Sequence, residues 1–117
     1  MTVTELATAF THLLKQNDHK GAAEKYNADN IVSYEAMEGP MAVCEGREAV
    51  KQKSDWWTEN HEVHSGSVEG PYVNGDQFAL RFTMDVTPKA TGERIRMDEV
   101  GVYTVKDDKI VEERFYY

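Results

Sequence analysis

The sequence holds a single cysteine, Cys44, so no disulfide can form within the chain. That scarcity fits a reducing, cytoplasmic setting. Basic residues are few beside acidic ones: 13 Lys and Arg against 21 Asp and Glu leave a formal net charge of −8. Such a balance lacks the basic patches that a nucleic-acid backbone or an anionic bilayer surface requires, so neither is an expected partner. No apolar run approaches the roughly 20 residues that cross a bilayer. The opening MTVTELATAF lacks the basic-then-apolar pattern of a secretory leader. There is no glycine-rich phosphate loop and no GxSxG elbow.

What is present suits a folded chain. The length of 117 residues is one domain's worth, taken as residues 1–117, and can bury a core without staples. Hydrophobic residues at 40% and charged ones at 29% indicate a globular protein rather than disorder. Leu6, Phe10, Leu13 and Leu14 recur at helical spacing, with Thr4 as the expected N-cap. Asp18 is placed to cap a second short helix carrying Ala22, Ala23 and Tyr26. NIVSYEAM, from about Asn30 to Met37, reads as a strand, and EGPMAVCEG as a connection. Arg47 to Asn60 reads as a third helix, with Val50, Lys53 and Trp57 along one side and Ala49 and Trp56 along the adjoining one.

Four strands then follow in HEVHSGSVEG, QFALRFTMDV, RIRMDEVGVYTV and IVEERFYY. Asn74-Gly75 is a hairpin turn signal. The order is α-α-β-α-β-β-β-β, which indicates an α+β fold: three N-terminal helices packed in a strongly curved, mostly antiparallel sheet. Such a cone has a mouth that can hold a small molecule.

Asp98 and Glu99 lie side by side inside one of these strands, and neighbours in a strand point to opposite faces. Setting Met84 opposite Met97 places Phe82 against Glu99, Leu80 against Gly101 and Phe78 against Tyr103. Phe78, Leu80, Phe82, Met84, Met97, Tyr103 and Glu99 then share one face. Arg81, Thr83, Asp85, Arg96 and Asp98 share the other. A slip of one residue would drive the charges into the core. Glu99 is therefore expected inside, among apolar side chains, where lost hydration raises a carboxyl's pKa and lets it donate or shuttle a proton. Gly101, two residues on, is expected to leave space beside it. Glu99 is the candidate catalytic residue, and Tyr34, Trp56, Phe82, Met84, Met97 and Tyr103 are the candidate pocket. The alternative is an acid satisfied by a Tyr, a His or a backbone amide, which merely fixes the register.

Other constellations promise less. His61 and His64 lie three apart in a strand and so on opposite faces; no metal site is expected. His12 reads as a helix-surface or satisfied core histidine. Cys44, in a loop after Gly-Pro, has no cue for an activated thiolate.

THLLKQNDHKGAAEKYNADNIVSYE, CEGREAVKQK and RMDEVGVYTVKDDKIVEERFYY together resemble the nuclear transport factor 2-like superfamily, and within it the SnoaL-like group. The resemblance implies a cystatin-like cone and a homodimer formed through the sheet. It implies a scaffold shared by isomerases, cyclases, dehydratases, hydrolases and binding modules. Ketosteroid isomerases of that superfamily use a first-helix Tyr, a first-strand Asp and a penultimate-strand Asp. Those positions fall here at Phe10, at Tyr34 with Glu35 adjacent, and at Glu99 or Gly101, so that set is not intact. Asp108 stands where the family usually has Gly. SnoaL-type cyclases use an acidic residue in the cavity, a part open to Glu99. Two functions follow: a cofactor-independent isomerase, cyclase or dehydratase acting on a small apolar molecule, or a non-catalytic ligand-binding or dimeric structural module.

Overall fold

The computed structural model describes residues 1–117. Helix α1, Val3–Lys15, begins at Thr2 rather than Thr4. Thr2 and Glu5 have the spacing of a reciprocal capping box: the Glu5 amide donates to Thr2 Oγ1 at 3.1 Å and the Thr2 amide to Glu5 Oε1 at 2.8 Å. Thr4 has no acid at that spacing. Helix α2, His19–Tyr26, is capped as expected by Asp18, whose Oδ1 accepts from the Gly21 amide at 3.0 Å. Helix α3 spans Arg47–Asn60.

The strands are β1 (Asn27–Tyr34), β2 (Val43–Glu45), β3 (His61–Asn74), β4 (Gln77–Pro88), β5 (Ile95–Lys106) and β6 (Lys109–Tyr116). They form one sheet in the order β2-β1-β6-β5-β4-β3, antiparallel throughout except for β1 beside β6. The short β2, hidden in the Gly/Pro connection, is an addition to the sequence reading, and β1 starts earlier than Asn30. The β3 edge of the sheet is irregular. In β3 the pairing shifts between Val63 and Ser65 and again between Glu69 and Tyr72. Gly70 sits at the second shift with φ +120°, where a side chain would meet the Ala79 carbonyl at 2.9 Å.

The β4–β5 register is the one expected: Met84 pairs with Met97, Phe82 with Glu99, Leu80 with Gly101 and Phe78 with Tyr103. Alternation places Phe78, Leu80 and Val86 on the concave face, where they are buried. Leu6, Ala7, Phe10 and Leu14 of α1 pack into the same core. Each fully buried large side chain stabilises by ~1.5–3 kcal/mol. Phe78 and Tyr103 stack at 4.9 Å, and Phe10 lies 5.3 Å from the Tyr103 ring. This aromatic group fixes the floor on which the polar residues of the cone stand.

Candidate active site

Asp98 and Glu99 separate as the alternation requires. Asp98 faces outward, where Arg81 donates to both its oxygens at 3.0 and 2.7 Å. That pairing holds its carboxyl below the ordinary carboxylate range. Glu99 faces inward and is half-buried. Loss of hydration, and then the nearby charge of Glu35, push it up to about 7, with Lys53 opposing. Phe82, opposite Glu99, is 8% exposed, and the Met84–Met97 pair, both half-buried, continues the same face.

Glu99 is not alone. Pairing with β5 puts Glu113 of β6 opposite Tyr103, and pairing with β1 puts Ser33 beside Glu113. Burial lifts Glu113 to about 7 as well, with Lys53 opposing, Glu35 adding and a hydrogen bond from Ser33 lowering it. Glu35 stands two residues past Ser33, so it projects into the same space. Burial raises it and Lys53 counters that rise. Its Oε2 is buried with no hydrogen-bond partner.

The counter-charge comes from α3. Lys53 follows Val50 and precedes Trp57 on the inward helix face, and its side chain is 12% exposed. Its Nζ donates to Ser33 Oγ, lies 3.7 Å from Glu35 Oε1 and sits 5.3 Å from the centre of the Phe115 ring. Tyr103 lies among these groups. Burial and the charges of Glu113, Glu99 and Glu35 hold its phenol protonated, well above its usual range. The cone thus contains three carboxyls, one ammonium and a phenol. Carboxyls that interact this way titrate as a set, and unequal surroundings divide them into acid and base.

Several expected site residues lie elsewhere. Tyr34 points outward, its ring 4.0 Å beneath the Arg114 guanidinium. The inward residue of that stretch is Glu35. Trp56 is 47% exposed. Trp57, not Trp56, takes the Lys53 side of the helix, stacked on His61 at 4.3 Å. The gap expected over Gly101 is filled. A Cβ there would lie 3.1 Å from Phe115 Cε1 and from Tyr103 Cε2 and its hydroxyl. The missing side chain admits these neighbours rather than a ligand. His61 Nδ1 meets the Trp57 carbonyl, whereas His64 Nε2 meets Thr87 Oγ1, and the two imidazoles do not converge. Cys44 is buried, its Sγ 3.7 Å from the Met41 carbonyl.

The sequence reading missed Glu113, Ser33 and the inward role of Lys53. Lysine is ordinarily an exposed residue, though its place between Val50 and Trp57 was a signal. A depression of about 500 Å³ lies elsewhere, on the charged side of the sheet near the β4–β5 turn. Its lining includes Ser67, Asp85, Arg94 and Arg96 and none of the cone carboxyls.

Residues 1–117 match the family described as the SnoaL-like domain. A crystal structure from Mesorhizobium loti superposes with a TM-score of 0.99 at 77% identity, over 100% of both chains. Its name assigns it provisionally to the SnoaL-like polyketide cyclases, with carbohydrate phosphatase in brackets. A Bacillus subtilis protein provisionally named an isomerase gives a TM-score of 0.77 at 21% identity, over 99% of this chain and 88% of its own. A Xanthomonas campestris protein of unknown function with a cystatin-like fold gives 0.76 at 16%, over 99% and 90%. The last two likenesses bear on the fold alone. No protein of curated function matches the sequence.

Proposed function

The chain belongs to the SnoaL-like domain family, and from that premise we propose that it is a cofactor-independent isomerase, cyclase or dehydratase. Its substrate is a small, largely apolar carbonyl compound taken into the cone. The observation that supports this most is the pairing of unlike acids on one face. Glu99 is pushed up to about 7 among apolar neighbours, while Glu35 faces the Lys53 ammonium. In this reading Glu35, as carboxylate, removes a proton from the carbon next to the carbonyl. Glu99, as acid, delivers one to the oxygen or carbon where negative charge collects. Exchange with water returns both groups to their starting state. Phe82, Met84, Met97 and Tyr103 shape the apolar wall, and Tyr103 adds a hydroxyl donor.

The test is hydrogen–deuterium exchange at the α-carbon, followed by NMR in D2O across a panel of enones and 1,3-diketones. Accelerated exchange that is lost in Glu99→Gln supports the reading. Exchange no faster than in buffer for every compound, with wild type and variant alike, overturns it.

The filled space over Gly101 favours the second reading, a binding or structural module without chemistry. It is compatible with a homodimer. One row across the outer sheet face runs Tyr72, Ala79, Val102, Arg114, Tyr34 and Val43. Tyr72 and Val43 in this row are exposed. Such a row suits a second copy of the chain, and Val102→Glu would shift a dimer to monomer in sedimentation equilibrium. No helix is long and apolar enough to cross a membrane. The lone, free Cys44 goes with a cytoplasmic setting.

A further inference from the structure

We propose that Lys53 is a positioning residue: its ammonium fixes which carboxyl in the cone is the base by holding Glu35 ionised and leaving Glu99 to carry a proton. This rests on the acid–base reading above, and it assigns Lys53 a part that neither the family match nor the sequence pattern supplies.

The geometry is specific. Lys53 enters from α3 with its ammonium over the Phe115 ring at 5.3 Å and its side chain only 12% exposed, so the charge is carried inward rather than to water. One of its three N–H groups goes to Ser33 Oγ, and the nearest carboxyl oxygen is Glu35 Oε1 at 3.7 Å. Ser33 is paired with Glu113 across β1 and β6, so the hydroxyl that receives the ammonium sits beside the second acid. The groups facing this centre are Glu35 just past β1, Glu99 and Tyr103 from β5, Glu113 from β6, and Tyr117 just beyond it. Lys53 is the one cation acting on all three carboxyls. A single positive charge cannot neutralise three buried acids, and direct contact decides which keeps its charge. The ion pair engages Glu35 Oε1 at 3.7 Å, while Glu35 Oε2 stays buried with no hydrogen-bond partner.

The experiment follows the carboxyl carbons of Glu35, Glu99 and Glu113 by NMR through a pH titration. In the wild type Glu35 should titrate first. In Lys53→Met its midpoint should rise by about one pH unit or more, removing the order, and Lys53→Arg should restore it. A Glu35 midpoint unmoved by Lys53→Met, or a wild type in which Glu99 titrates first, overturns the proposal; the wild-type order stands as a test even where the variant fails to fold. Binding of 2-naphthol, an enolate mimic, tests the parent reading separately. Retained binding with an unmoved Glu35 refutes only the role of Lys53. Absent binding with the expected titration refutes only the carbonyl substrate.

Discussion

Glu99 lies directly across the β4–β5 ladder from Phe82, on the face opposite the Arg81–Asp98 pair. A carboxylate in that position gives up water and receives an aromatic ring in exchange. The consequence for stability is measurable. Glu99→Gln keeps the shape and removes the ionisation, so at pH 8 the variant should be as stable as wild type or more so. At pH 5, where Glu99 is protonated in both the folded and, in part, the unfolded chain, the two should be nearly equal. Urea midpoints at both pH values check this. A loss of a few kcal/mol at pH 8 would instead mark Glu99 as a paired structural acid.

The pH dependence of the wild type should run opposite to that of a protein held by surface ion pairs. Glu99 and Glu113 are both raised to about 7 from an ordinary 4.5. The folded state therefore binds more protons than the unfolded state between those values, and stability falls as pH rises through that window. It is fully present below about 4.5 and lost once pH passes about 7. For Glu113, the more enclosed of the two, the change is on the order of 3 kcal/mol. Asp85 and Asp98, held low by Arg94 and Arg81, act in the other direction only at more acidic pH. Thermal midpoints should peak near pH 5 and decline toward pH 8, and Glu113→Gln should flatten the decline. A midpoint that is level from pH 5 to 8 would contradict the buried charges.

Gly101 gives a steric prediction. A Cβ at this position meets Phe115 and Tyr103 at 3.1 Å, including the Tyr103 hydroxyl. Tyr103 is clamped between Phe78 and Phe10 and has little room to retreat. Gly101→Ala should cost about 1–3 kcal/mol, as overpacking usually does. It should also disturb the near-ultraviolet signal of the tyrosines. A variant as stable as wild type would mean that the floor of the cone yields more readily than its stacking suggests.

These residues show where the sequence was legible. The β4–β5 register followed from two clean alternations, since only one phase keeps both the charges and the apolar residues on their proper sides. The phase of β6 was not open to the same reasoning. Between Thr104 and Val105 the β5–β6 pairing shifts, so Ile110 and Glu113, an odd number apart, face the same way. Strict alternation from Ile110 would have put Glu112 and Arg114 inside. In β1 the buried Ile31 sets Ser33 and Glu35 inward and Tyr34 outward by plain alternation, but Val32 and Tyr34 offered an equally apolar opposite phase. Bulges move a whole strand by one face, and their position depends on the partner strand. Lys53 was obscured for a different reason: its inward charge is explained only by carboxyls on three other strands.

Tyr103 separates packing from chemistry within one side chain. Its ring stacks on Phe78 and meets Phe10 and Phe115. Burial, together with the charges of Glu113, Glu99 and Glu35, keeps its hydroxyl protonated. Tyr103→Phe preserves every ring contact and removes only the donor, so urea unfolding should move by no more than about 1 kcal/mol. If the hydroxyl serves the substrate oxygen, α-proton exchange and 2-naphthol binding should both weaken by roughly tenfold or more, the scale of one lost buried hydrogen bond. Phe78→Leu supplies the complementary change, loosening the stack while keeping the hydroxyl. It should lower stability and leave naphthol affinity closer to wild type than Tyr103→Phe does. The reverse pattern, with affinity following the stack and indifferent to the hydroxyl, would make Tyr103 a floor residue and return the donor's role to Glu99 and Lys53.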